Sequence, residues 1–153
     1  MSAPFNELEQ EGRIEAVPTG RAEVERLHVV VDRDLATAED LRERNRDWAL
    51  AIAYNAMLQA CIALMAAHGY RPRGEGQHWT AIEFCRLALP EQERLFDRLD
   101  SLRQKRHRTV YGAAGQVSGV EVRDALTLVG QVIPTLKEAA GRVLKDREGK
   151  GKG

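Results

Sequence analysis

The nine residues Arg103-Gln104-Lys105-Arg106-His107-Arg108-Thr109-Val110-Tyr111 hold the densest chemistry in this chain. Arginine grips phosphate oxygens through two parallel N–H donors, histidine exchanges a proton near neutral pH, and tyrosine stacks on a base or donates a hydrogen bond. At about 100° per residue, Leu95, Leu99, Leu102, Arg106 and Val110 share one helical stripe, so Arg106 interrupts an apolar face. A guanidinium does not lose its proton, so burying it requires a carboxylate, a phosphate or a water-filled cleft. Arg103, His107 and Tyr111 follow one another at i, i+4 and i+8 along the flank of that stripe. Two readings stay open on residue types alone. One is a solvated basic helix end with Arg106 paired to an acid from another helix. The other is a site for phosphate or RNA, with Arg103, Lys105 and Arg108 around Arg106, His107 and Tyr111.

A second basic site lies in Gly69 to Gln77 (GYRPRGEGQ), where three glycines and a proline rule out a helix and predict a loop. Arg71 and Arg73 project from it, and His68 and His78 flank it. His68 reads as a helix C-terminal charge, and His78 either as a helix-start hydrogen-bonding group or as an extension of a phosphate cleft. His28 reads as a packed or surface histidine. Trp48, Tyr54 and Trp79 lie in apolar helical segments and are expected to be core or dimer-interface aromatics. Asn55 is expected to bond across helices or subunits. Cys61 and Cys85 lack the spacing of a zinc site and read as reduced core residues, so no metal and no other cofactor is expected. Neither a glycine-rich phosphate loop nor a nucleophile elbow is present, which argues against common nucleotide hydrolases.

These side chains need a scaffold, and 153 residues suffice for one core. Basic and acidic residues cancel at 23 each, so no global field draws the molecule to nucleic acid or lipid and any such binding must be local. The start has no basic region followed by an apolar one, so a cytoplasmic location is expected. Trp48 to Ala67 is long enough for a membrane span. Its many alanines insert weakly, and Asn55 and Gln59 would sit in hydrocarbon, so the segment is expected at the centre of a bundle instead.

Helical periodicity dominates and predicts an all-α, up-and-down bundle of about five helices. The expected organisation is an N-terminal arm over 1–18, a helical domain over 19–145 and a disordered tail over 146–153. Phe5, Leu8 and Ile14 are the anchors available to the arm. Thr19 is the expected cap of a helix to about Thr37, where a second helix begins and runs to His68. A third covers His78 to Leu87, Pro90 starts a fourth, and Ser118-Gly119-Val120-Glu121 has the spacing of a capping box for the last. The tail KDREGKGKG is charged and glycine-rich.

The motif closing the fourth helix, after a long alanine-rich helix and a GYRPRGEGQHW loop, resembles that of the HEPN domain superfamily, and of its small bacterial branch in particular. Gly12-Arg13-Ile14 before Val17-Pro18, Ala53-Tyr54-Asn55-Ala56, and Gly69-Tyr70-Arg71-Pro72 with His78 add to the resemblance, which spans roughly residues 12–144. It implies a helical bundle that dimerises through the motif-bearing helices, so that residues of both subunits line one cleft. It also implies a superfamily rich in metal-independent endoribonucleases, often toxins paired with a nucleotidyltransferase-type antitoxin or another protein. In that comparison Arg106 matches the motif arginine, His107 stands where Asn, Asp or His is usual, and Tyr111 replaces the terminal histidine. Tyrosine, with a pKa near 10, is a poor base. The resemblance therefore implies either an RNA- or nucleotide-binding accessory of a defence or toxin–antitoxin system, or a ribonuclease in which His107 moves the proton.

Overall fold

A computed structural model of the chain describes residues 3–111 and 117–151, with side chains placed for 4–107 and 117–150. The elements in order are a 3-10 turn (Ala3–Phe5), α1 (Asn6–Gln10), β1 (Ile14–Ala16), α2 (Arg21–Leu41) and α3 (Arg46–Ala67). There follow β2 (Tyr70–Pro72), α4 (Gln77–Ala88), a 3-10 turn (Pro90–Gln92), α5 (Glu93–Tyr111) and α6 (Gly119–Gly151). Five long helices make the fold an all-α bundle.

α3 is its axis and packs against α2, α4, α5 and α6. Ala49, Ala53, Ala56, Ala60, Ala63 and Ala67 recur along it at steps of four and three, each essentially fully buried. Their single methyl groups let neighbouring backbones approach, while Leu50, Met57, Leu64 and Met65 fill the wider spaces between helices. The segment is apolar and long enough to cross a bilayer, yet 72% of its most apolar window is buried among the other helices. Cys61 and Cys85 are free and buried, and Cys85 Sγ donates to Cys61 O at 3.6 Å. Burial pushes the Cys85 thiol well up, which keeps it protonated and inert.

The helix boundaries differ from the sequence expectation at two places. α2 continues through Thr37, whose Oγ1 donates to Arg33 O at 3.0 Å within the helix. The break falls at Asn45, which caps α3 by accepting from Trp48 N at 3.1 Å. Thr19 is not a cap: Gly20 holds that position, and Thr19 Oγ1 donates to Ala66 O at 2.8 Å, tying the start of α2 to the end of α3. Asn55 does bond across helices, donating to the buried Asp34 at 2.8 Å.

The N-terminal segment docks on the core through Phe5, Leu8 and Ile14, all buried. The loop expected over Gly69–Gln77 contains β2, antiparallel to β1 in the register Ile14↔Pro72, Glu15↔Arg71 and Ala16↔Tyr70. Three-residue strands are too short to show alternation, and these partners lie 56 residues apart, so neither signal reaches the local sequence.

Residues 146–151 continue α6. Arg147 Nη1 donates to Ala67 O at 2.6 Å and Thr19 O at 3.2 Å, and Arg21 grips Glu148 at 3.0 and 2.7 Å. Charge and glycine made the segment read as solvated, but two of its charged residues have fixed partners elsewhere in the bundle.

At the other end of α6 the expected capping box is formed. Ser118 N donates to Glu121 Oε1 and Glu121 N to Ser118 Oγ, both at 3.1 Å. Replacing Ser118 with alanine removes one side of this exchange and is expected to cost about 1 kcal/mol. Urea unfolding of the variant, with an unchanged slope and a lower midpoint, checks it.

Candidate functional site

α5 lays Leu99 and Leu102 into the core, with Arg106 next on the same stripe and only partly exposed. Among the described residues the guanidinium meets no internal carboxylate. Its Cζ lies 5.6 Å from the ring centre of Tyr54 on α3, and its Nε is buried without a hydrogen-bond partner among the described residues. A cation over an aromatic face is attracted by the ring quadrupole, which holds Arg106 in place but leaves its donor unsatisfied.

Tyr54 is 1% exposed, and its hydroxyl is likewise buried and unpartnered among the described residues. Burial raises its pKa far enough to keep the phenol protonated, despite the opposing pull of Arg103 and Arg106. His78, in the first turn of α4, places its ring 5.7 Å from that of Tyr54. Burial, then Arg106 and Arg103, lowers the His78 pKa, so the imidazole is neutral at physiological pH. Arg103 donates to Asp100 at 2.8 Å and Asp100 also accepts from Gln104, so this acid is already engaged. Three elements thus bring together Arg106, Arg103, Tyr54 and His78, with one cation in excess.

The remaining residues singled out in the sequence are placed differently. Lys105 pairs with Glu121 at 2.9 Å and links α5 to α6, which holds the Glu121 carboxyl below its usual range. His107 is exposed, one residue around the helix from Arg106. The side chains of Arg108 and Tyr111 lie outside the described residues. Arg71 pairs with Glu15 across the β1–β2 ribbon and Arg73 approaches the same carboxylate at 4.0 Å. Neither is brought to Arg106. Of the three aromatics expected in apolar contacts, only Tyr54 is in the core: Trp48 is 61% and Trp79 45% exposed. Their segments are apolar, but the two indoles fall near helix N-termini, where the bundle no longer covers them.

Sequence reasoning missed Tyr54 as part of the site, since nothing in helical spacing distinguishes a core tyrosine from one whose hydroxyl lacks an acceptor. Among the described residues no group of three His, Cys, Asp or Glu could hold a metal. The donor set consists of one guanidinium, one phenol and one neutral imidazole. Such a set suits an anion with several acceptor oxygens, such as a phosphate.

The architecture is therefore a helical bundle in which Arg103, Arg106, Tyr54 and His78 meet at the junction of α3, α4 and α5. The HEPN domain family model matches residues 31–139, which include Tyr54, His78, Arg103 and Arg106, and the chain belongs to the HEPN domain family. That membership supports a nucleotide- or RNA-related function in general. No curated protein matches the sequence.

Proposed function

We propose that this protein binds RNA or a nucleotide through a phosphate held by Arg106, Tyr54 and His78, with Arg103 adding positive field. It does so as a homodimer and as a non-catalytic accessory, or partner-binding component, of a defence or toxin–antitoxin system. A nucleotidyltransferase-type antitoxin is the partner class that the family resemblance suggests.

One observation carries the phosphate reading: Arg106 interrupts the apolar stripe with a buried Nε donor that no carboxylate answers among the described residues, beside a second orphaned donor on Tyr54. The accessory reading is supported by the tyrosine at position 111, which is mostly protonated at neutral pH and serves poorly as a general base.

The test is titration of labelled RNA, with excess chelator present, into the wild-type protein and its Arg106→Ala and His107→Ala variants. Arg106→Ala is expected to weaken binding by about tenfold, the order of a lost charge-assisted hydrogen bond. Wild-type binding that Arg106→Ala leaves unchanged rejects the site. Chelator-resistant cleavage by the wild type, lost in both variants, replaces the accessory reading with that of a metal-independent endoribonuclease.

A further inference from the structure

The corner formed by the β1–β2 ribbon and the start of α4 carries a second set of groups that the Arg106 cluster does not use. Side chains alternate across a paired ribbon, so Ile14 and Tyr70 turn into the core while Arg13, Glu15, Arg71 and Arg73 share the outer face. Arg73 N donates to Arg13 O at 2.8 Å, which extends the ladder and sets the two arginines side by side. Three guanidiniums here face two carboxylates, Glu15 beside Arg71 and Arg73 and Glu11 beside Arg13, which leaves one cation in excess.

Arg13 is also fixed. Its Nε donates to the fully buried Thr80 at 3.1 Å, and its Nη1 stands 3.7 Å from Glu11. The guanidinium carbon lies 4.1 Å from the centre of the Trp79 ring, and Nη2 is buried with no acceptor among the described residues. The indole is thus braced by a cation while 45% of the residue stays open to solvent. Such an exposed aromatic with a cationic surround is how proteins hold unpaired bases, because every base has a π-face to stack. Trp79 directly follows His78, which belongs to the Arg106 cluster, so the two sets meet on the first turn of α4.

We infer that Trp79 is a stacking platform for one unpaired base of single-stranded RNA, next to the phosphate at Arg106, with the strand continuing over Arg73 and Arg71. The inference rests on the phosphate-binding reading of Arg106 and deepens it by naming the ligand class. A duplex keeps its bases stacked on one another and cannot offer one to an indole.

The experiment measures the anisotropy of a labelled oligouridylate, and of the same strand annealed to its complement. Proteins compared are the wild type, Trp79→Ala, Trp79→Phe, Trp48→Ala and Arg106→Ala. Trp79→Ala is expected to weaken oligouridylate binding about tenfold, within the usual range for one lost base stack. Trp79→Phe recovers most of that loss, and Trp48→Ala, which removes the other exposed indole, changes nothing. Arg106→Ala weakens both RNAs, whereas Trp79→Ala leaves the duplex unaffected. Thermal melts show that Trp79→Ala is folded, as its exposure predicts. If Trp79→Ala binds oligouridylate like the wild type while Arg106→Ala does not, the platform is wrong and the phosphate site stands. If the wild type binds neither RNA, the RNA reading of the Arg106 site fails and the platform with it. Duplex bound as tightly as single strand overturns the ligand class.

Discussion

Replacing Phe84 with alanine is expected to destabilise the bundle by about 3–5 kcal/mol, the range for deleting a fully buried aromatic ring. Phe84 on α4 is fully buried, and its ring stacks on Phe5 with centroids 3.9 Å apart and planes 10° from parallel. His68 meets it edge-on at 5.5 Å, and Tyr70 lies tilted against it at 5.8 Å. The ring therefore joins the N-terminal turn, the end of α3, β2 and α4 in one cluster. Truncation opens a void that four separate elements would have to close together, and close packing leaves them little freedom to do so. Urea unfolding followed by circular dichroism should show the midpoint falling by most of the wild-type value. A loss below about 1 kcal/mol would mean that Phe5 does not seat on this ring and that the N-terminal segment is not part of the core.

Acid should weaken the fold through the same cluster. The His68 pKa is lowered from 6.5 to about 4, first by burial and then by the nearby guanidinium of Arg147. Above pH 6.5 the imidazole is neutral in both the folded and the unfolded chain, so it adds no pH dependence. Between pH 6.5 and 4 the unfolded chain takes up a proton that the folded chain refuses, and stability falls with each step. Below pH 4 both forms are protonated and the loss levels off. With allowance for the solvent that reaches part of the ring, the total is about 2 kcal/mol. Unfolding free energies of the wild type and His68→Gln, compared at pH 7 and pH 4.5, isolate this effect from that of the carboxylates. The gap between the two proteins must shift in favour of the variant at the lower pH. An unchanged gap, or an imidazole resonance titrating near 6.5, would place His68 in water.

Much of this architecture could be read from the chain alone, because its carriers are periodic or local. The leucine stripe of α5, the alanine-rich axis helix and the capping box at Ser118 each announce themselves within a few turns. Arg106 was visible for the same reason: a permanent charge on an apolar stripe is a local contradiction. What escaped depends on distant partners. The β1–β2 ribbon joins residues 56 apart, and Arg147 finds its acceptor 80 residues away. Neither fact has a local trace. Tyr54 and Trp79 were read alike from apolar neighbours, yet one is enclosed and the other open. Helical spacing fixes a side chain's angle about the axis, but not how far along that axis the neighbouring helices extend.

The alanines of α3 divide the molecule into two regimes of sequence change. Each leaves space for one methyl between neighbouring backbones, so a larger side chain there would spread several helices at once. Arg71, Arg73 and the two open indoles are under no such constraint. Residues at the rim can therefore be exchanged one by one, while the axis that aims Tyr54 at Arg106 tolerates almost no exchange.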